Sequence, residues 1–138
     1  MACDAPVRFR AAVWSSLVAR DLSTIGDCPA SDIAIFETEV KSGRWQLYEI
    51  EHDGARVGCI VWNAEREGDD IALVINAAAC APIRGVDVTL TILESFRALA
   101  TATGAKAIRC WTVREGMKRK LERAGAKARY VMEIDLGQ

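Results

Sequence analysis

Two groups of residues in this 138-residue chain have the types and spacing to do chemistry. The first is Arg84-Gly85-Val86-Asp87-Val88-Thr89, between an apolar strand-like run (71–79) and a long helical pattern (88–103). The opening amides of a helix have no intrahelical partner, and the helix dipole adds positive potential there. A strand, a tight turn and a helix in that order therefore build an anion site. Asp87 complicates this one. At a helix start it is a good N-cap, and its carboxylate accepts the same amides that a phosphate needs. It also sets a negative charge beside a polyanion, a repulsion of about 1 kcal/mol in water and more when desolvated. A phosphate-accepting turn and an Asp-capped helix both remain open readings.

The second group is Glu49, Glu51 and His52, on or at the end of a strand-like run that stops at Asp53-Gly54. Strand alternation puts the two carboxylates on one side and His52 on the other. A carboxylate there could take a proton from an amine. Beside the Asp-Gly turn, His52 reads as a hairpin residue. Cys80, two residues before Pro82, has no histidine near it in sequence, so it reads as a buried thiol rather than a nucleophile. The five cysteines are widely spaced with no CxxC, and His52 is the only histidine. That is neither a disulfide framework nor a zinc pattern, so no metal is expected. Cysteine use of this kind fits a reducing compartment, and the expected location is the cytoplasm. No apolar run approaches the ~18 residues of a membrane helix.

A hydrophobic fraction of 51% and a charged fraction of 27% support a single cored domain spanning 1–138, with 1–6 as a loose end. The net charge of −1 gives no global pull toward nucleic acid or membrane. The charge is uneven, however. Residues 106–130 hold nine Lys/Arg against Glu115 and Glu122, so this segment is +7 and the remainder −8. Within it, Glu115/Arg119 and Lys118/Glu122 are spaced as i,i+4 pairs, which favours a solvated helix face over a phosphate-binding one. Trp111 could anchor a protein partner if it faces solvent.

The elements that must position these residues follow from periodicity. Residues 7–10 alternate as a short strand, and 11–25 show helical spacing through Val13, Leu17, Leu22 and Ile25. Ser31 or Asp32 can cap a helix to Val40, with Ile33, Phe36 and Val40 on one face. Runs at 45–51, 56–63 and 71–79 read as an antiparallel meander, with a hairpin at Asp53-Gly54 and a charged turn at 65–70. A helix follows at 88–103, then a strand at 106–113 and a short helix at 114–124. The alternation of Ala128, Tyr130, Met132, Ile134 and Leu136 predicts a terminal antiparallel strand, an edge that could pair in a homodimer. The expected class is α+β: a mixed, mostly antiparallel sheet with helices on both faces.

In element order and spacing, residues 7–136 resemble the GCN5-related N-acetyltransferase (GNAT) family. The most specific parts are the strand–Arg-Gly turn–helix at 71–103 and the ending Met117…Leu121-Glu122-Arg123-Ala124-Gly125-Ala126. In that family the turn reads Gln/Arg-x-x-Gly-x-Gly/Ala, and its amides cradle the pyrophosphate of acetyl-CoA. The pantetheine arm lies in a splayed gap between two strands, here those at 71–79 and 106–113. The resemblance implies acetyl-CoA or another acyl-CoA as cofactor, an amine acceptor, and Ile75, Asn76, Arg84, Gly85, Val86, Asp87, Val88 and Thr89 at the cofactor. It implies Glu49 or Glu51 as base.

Several positions depart from the family pattern. Asp87 and Thr89 stand where glycine and a small residue are usual. Leu121 stands where many members carry a tyrosine that protonates the leaving thiolate, and a leucine has no proton to give. Degenerate GNAT-like domains of this kind occur among phage and prophage proteins, including small virion-associated ones. The second expectation is therefore a non-catalytic binding or structural module.

Overall fold

The computed structural model describes residues 6–25, 28–111, 115–130 and 132–137. Its core is a five-stranded sheet in the order β1 (Val7–Ala11), β2 (Gln46–His52), β3 (Ala55–Glu67), β4 (Asp70–Cys80), β5 (Ala107–Cys110). The first four strands are antiparallel neighbours, and β4 and β5 run parallel. The change of direction follows from the connections. Short turns join β2 to β3 and β3 to β4, whereas α3 (Val88–Thr103) carries the chain from β4 back to the start of β5. Asp53 and Gly54 both take positive φ (53° and 77°), the two-residue turn that matches strand twist.

Helices cover both faces. On one, α1 (Ser16–Ser23) and α2 (Ala30–Lys41) close a cluster of Val18, Leu22, Leu47, Cys59 and Val61, against which Ile33, Phe36 and Val40 also pack. On the other, α3 sets Ile92, Phe96 and Ala100 against Ile50, Ile60, Leu73 and Ile75. Phe96 is the hub there, meeting Trp62 edge-on at 5.5 Å between ring centroids, with Tyr48 at 6.4 Å. The last helix, α4 (Glu115–Arg123), lies beside α3, tied to it by the Arg97 guanidinium donating to the Ala124 carbonyl at 2.8 Å. Among the described residues, no helix is long and apolar enough to cross a membrane.

Three expectations from the sequence are corrected. The first helix covers only Ser16–Ser23, because Ala11 belongs to β1 and the Ala12 amide still donates to Leu47 of the neighbouring strand. Its buried residues are Val18 and Leu22, while Val13 and Leu17 face solvent. The charged stretch 65–70 is mostly ladder, paired out to Glu67 and Asp70 around Gly68. The terminal strand is absent among the described residues. Tyr130, Met132, Ile134 and Leu136 are 80–90% exposed and β5 keeps a free edge. Alternation specifies a strand only where a neighbouring edge is taken up. The end of the expected strand at 106–113 and the start of the helix expected at 114 fall on 112–114, outside the described residues.

Candidate functional site

The site begins where the two parallel strands part. Among the described residues, pairing of β4 with β5 ends at Ile75 opposite Cys110, whereas β4 continues to Cys80 paired with β3. The same point carries a bulge. Val61 pairs with Ala77 and Trp62 with Ile75, so Asn76 is the extra residue on β4. The bulge bends the strand, and its edge from Asn76 to Cys80 opens into a cavity of about 640 Å³. Residues from β4, α2, α3, β5 and α4 line it, including Ile75, Asn76, Thr89, Cys110, Trp111 and Leu121.

Gly58 permits this geometry. It sits on β3 opposite Cys80, and a Cβ there would lie 2.1 Å from the Ala79 carbonyl oxygen. Asn76 is fixed by its amide donating to the Oδ1 of buried Asn63 at 2.6 Å, a pair that ties the bulge to β3. Cys28, Cys80 and Cys110 all line the cavity, and burial pushes each of these thiols up, so they are protonated at neutral pH. Among the described residues, no cluster of His, Cys, Asp or Glu could hold a metal ion.

The turn that leads into α3 is ordered by its glycine. The Val86 amide donates to the Ile83 carbonyl at 3.1 Å, and Gly85 takes φ 78° at the third position, which suits a type II turn. Asp87 then caps α3, its carboxylate accepting from the Leu90 amide at 3.2 Å. Lys120, reaching across from α4, pairs with the same carboxylate at 2.8 Å. Lys120 and the helix amides hold the Asp87 carboxyl below the usual aspartate range, so it is ionised at neutral pH. The helix start thus already holds an anion and a counter-ion.

The residues singled out from the sequence separate into three places. Ile75, Asn76, Val88 and Thr89 line the cavity. Arg84 and Gly85 are exposed in the turn, Val86 is half-buried behind them, and Asp87 borders a smaller cleft between α3 and α4. Glu49 and Glu51 stand apart from the cavity in an ion-pair chain. Arg56 joins Glu49 to Asp21 of α1, and Arg10 bridges Glu49 at 3.2 Å and Glu51 at 2.8 Å. His52 is half-buried at the hairpin end of β2, its Nε2 shielded and without a hydrogen-bond partner. Leu121 lines the cavity with an alkyl group, which has no proton to give.

Sequence reasoning did not find the Asp87–Lys120 pair, the Asn63–Asn76 pair or Cys110 as a wall of the cavity. Asn63 and Asn76 left a signal, two amides inside otherwise apolar runs. The contact between Asp87 and Lys120 left none, because it depends on how two helices lie together.

No protein-family model matches the sequence, and no curated protein sequence is significantly similar to it. Solved structures do match. A GNAT-family protein from Desulfovibrio desulfuricans superposes with a TM-score of 0.73 at 19% identity, over 93% of this chain and 89% of that one. The ribosomal-protein-alanine N-acetyltransferase from Brucella melitensis biovar Abortus gives 0.70 at 13%, over 94% and 99%. An aminoglycoside N-acetyltransferase solved in complex with CoA gives 0.67 at 13%, over 96% of each chain. The five-stranded, mostly antiparallel sheet with helices on both faces is consistent with this likeness. The fold of this chain is that of the GCN5-related N-acetyltransferases.

Proposed function

We propose that the cavity between β4 and β5 binds the acyl-pantetheine arm of a thioester donor and that the chain is an N-acyltransferase. The supporting observation is the edge of β4 from Asn76 to Cys80, unpaired among the described residues, along an apolar cavity. An extended arm with its own amides can add to such an edge as a strand would. The volume of about 640 Å³ is within the range of small-molecule sites.

In amine acylation a C–N bond replaces the donor's C–S bond, and the proton lost by the amine ends on the departing sulfur. On this reading, Ile75, Val88 and Ile92 exclude water from the donor. The free amides of the β4 edge orient the arm and can donate to the acyl oxygen. Leu121 offers no proton, and Glu49 is committed to two arginines, so the proton passes through water rather than through a side chain at either place. The acceptor is an amine.

Thermal unfolding with millimolar acetyl-CoA or S-acetylpantetheine tests the binding step. A ligand present at 100 times its Kd stabilises the native state by about 2.7 kcal/mol. Release of free thiol in the presence of a panel of amines tests the transfer. Ala78 lines the cavity from an exposed position, so Ala78→Phe should abolish the thioester shift while leaving the unliganded melting temperature within about 2 °C, the usual range for a surface change. No shift with either thioester sinks the proposal. A second reading, a non-catalytic binding or structural module, is favoured by the Asp87–Lys120 pair and by Leu121. It predicts no response to either thioester.

A further inference from the structure

We infer that the donor is recognised by its acyl-pantetheine arm alone, because Asp87 and Lys120 close the place where a nucleotide pyrophosphate would be held. The inference rests on the function proposed above and names the donor class: pantetheine thioesters whether or not they carry a nucleotide.

A pyrophosphate at the start of α3 would need the free amides of its first turn. The Asp87 carboxylate accepts from Leu90 at 3.2 Å, and the Thr89 amide also contributes to keeping that carboxyl ionised. A polyanion would have to displace this carboxylate from the amides or sit beside its charge. Lys120 does not relieve the conflict, since it is bound to Asp87 itself at 2.8 Å. Arg97, which borders the same cleft, is engaged with the Ala124 carbonyl at 2.8 Å, and Glu94 adds a further negative charge to that cleft. Close approach is also obstructed, because Thr89 brings a branched side chain where a glycine would expose backbone.

The arm's channel does not depend on the Asp87–Lys120 pair. It is built by the edge of β4, the bulge at Asn76 and the walls of α3 and α4, none of which requires an anion at the helix start. The chain therefore keeps a thioester channel and has replaced the phosphate contact with an internal ion pair.

The test is calorimetric titration of the intact protein with acetyl-CoA, with the phosphate-free S-acetylpantetheine, and with adenosine 3′,5′-bisphosphate as a nucleotide-only probe. The expected result is that the two thioesters bind wild type within about threefold of one another and the bisphosphate does not bind. Asp87→Ser keeps a capping hydroxyl and removes the charge. It should tighten acetyl-CoA at least tenfold, about 1.4 kcal/mol, and leave S-acetylpantetheine unchanged. Asp87→Gly is the parallel variant should the serine protein fold poorly.

Wild type binding acetyl-CoA ten times more tightly than S-acetylpantetheine overturns the inference, because the nucleotide is then being read. Absence of any gain in both Asp87 variants also overturns it, because another feature then closes the turn. If neither thioester binds any of the proteins, the inference fails together with the proposed function. Selective loss of the nucleotide contribution, by contrast, leaves that function standing.

Discussion

Substituting Gly58 by alanine probes the wall of the cavity directly. The added Cβ would stand 2.1 Å from the Ala79 carbonyl oxygen and 2.7 Å from the Cys80 Cα, both backbone atoms of the neighbouring strand. No rotamer change can relieve a backbone contact, so β3 and β4 must separate by roughly 1 Å to reach ordinary van der Waals distance. Overpacking of this kind costs about 1–3 kcal/mol, and the buried position puts Gly58→Ala at about 2–3 kcal/mol. For a domain of this size that lowers the melting temperature by roughly 6–12 °C. Urea unfolding should show a lower midpoint with an unchanged slope. Displacing Ala79 and Cys80 also deforms the edge on which the arm would lie, so thioester binding should weaken beyond what lost stability explains. Gly54→Ala is the control. It meets no atom within 4 Å and pays only for a positive φ, about 1 kcal/mol, with no effect on the cavity. A Gly58→Ala protein within 0.5 kcal/mol of wild type would refute the close approach of the strands, and with it this geometry of the fork.

Three further outcomes are expected. Arg56→Met leaves the carboxylates of Asp21 and Glu49 facing each other, both largely shielded, and should cost about 2–3 kcal/mol after allowance for their remaining solvent contact; chemical denaturation measures it, and a neutral effect would mean the chain is not a coupled unit. Asp87→Asn preserves a capping oxygen but removes the charge that Lys120 holds. Because the folded carboxyl is depressed, its contribution is full above the ordinary aspartate pKa of about 3.9 and is lost as pH falls through the lower folded value. Wild type should therefore melt above Asp87→Asn at neutral pH, and the two should converge in strong acid; a constant gap across that range refutes the ion pair as its source. Deleting residues 127–138, whose described members 127–130 and 132–137 are exposed, should change the calorimetric melting temperature by less than about 2 °C. A larger loss would show that Tyr130, Met132, Ile134 and Leu136 are covered in solution.

Most of the architecture was legible because it rests on short-range signals. The helix at Val88–Thr103 was bounded correctly from its periodicity, from Asp87 at one end and from Gly104, with φ 77°, at the other. Asp53-Gly54 marked the hairpin, and alternation along β2 put Glu49 and Glu51 on one side, where Arg10 bridges them. What the sequence did not yield depends on contacts between distant elements. Leu17 has the hydropathy of a core residue, yet the helix rotates it outward so that Val18 and Leu22 can meet Leu47, Cys59 and Val61. The destination of Glu49 was likewise hidden, since its partners lie on β1 and β3, 39 and 7 residues away. At the turn into α3 the reverse holds. Asp87 as an N-cap was read from its type and position alone, and only the second ligand of its carboxylate, Lys120, needed three dimensions.

The separation between what the backbone supplies and what side chains supply decides how much the departures from the GNAT pattern matter. Leu121 offers the cavity no general acid, and Glu49 is committed to Arg10 and Arg56 rather than lining the cavity. General acid–base catalysis contributes about 10²–10⁴-fold each time it is used, or about 3–5 kcal/mol. Holding two reactants in register is worth more, about 7–11 kcal/mol. In this chain the elements that would provide register are backbone features: the end of β4–β5 pairing at Ile75 and Cys110, the bulge at Asn76 and the free edge as far as Cys80. They depend on Gly58 and on the Asn63–Asn76 pair, not on the residues that have changed. A thiolate is also a good leaving group without assistance, unlike an alkoxide or amide. The side chains at 87, 89 and 121 therefore argue for slow transfer from a loosely specified donor before they argue for none. The measurement that separates those cases is the rate with saturating S-acetylpantetheine and amine. A rate indistinguishable from the uncatalysed reaction, with the cavity demonstrably filled, would show that register alone is not enough here.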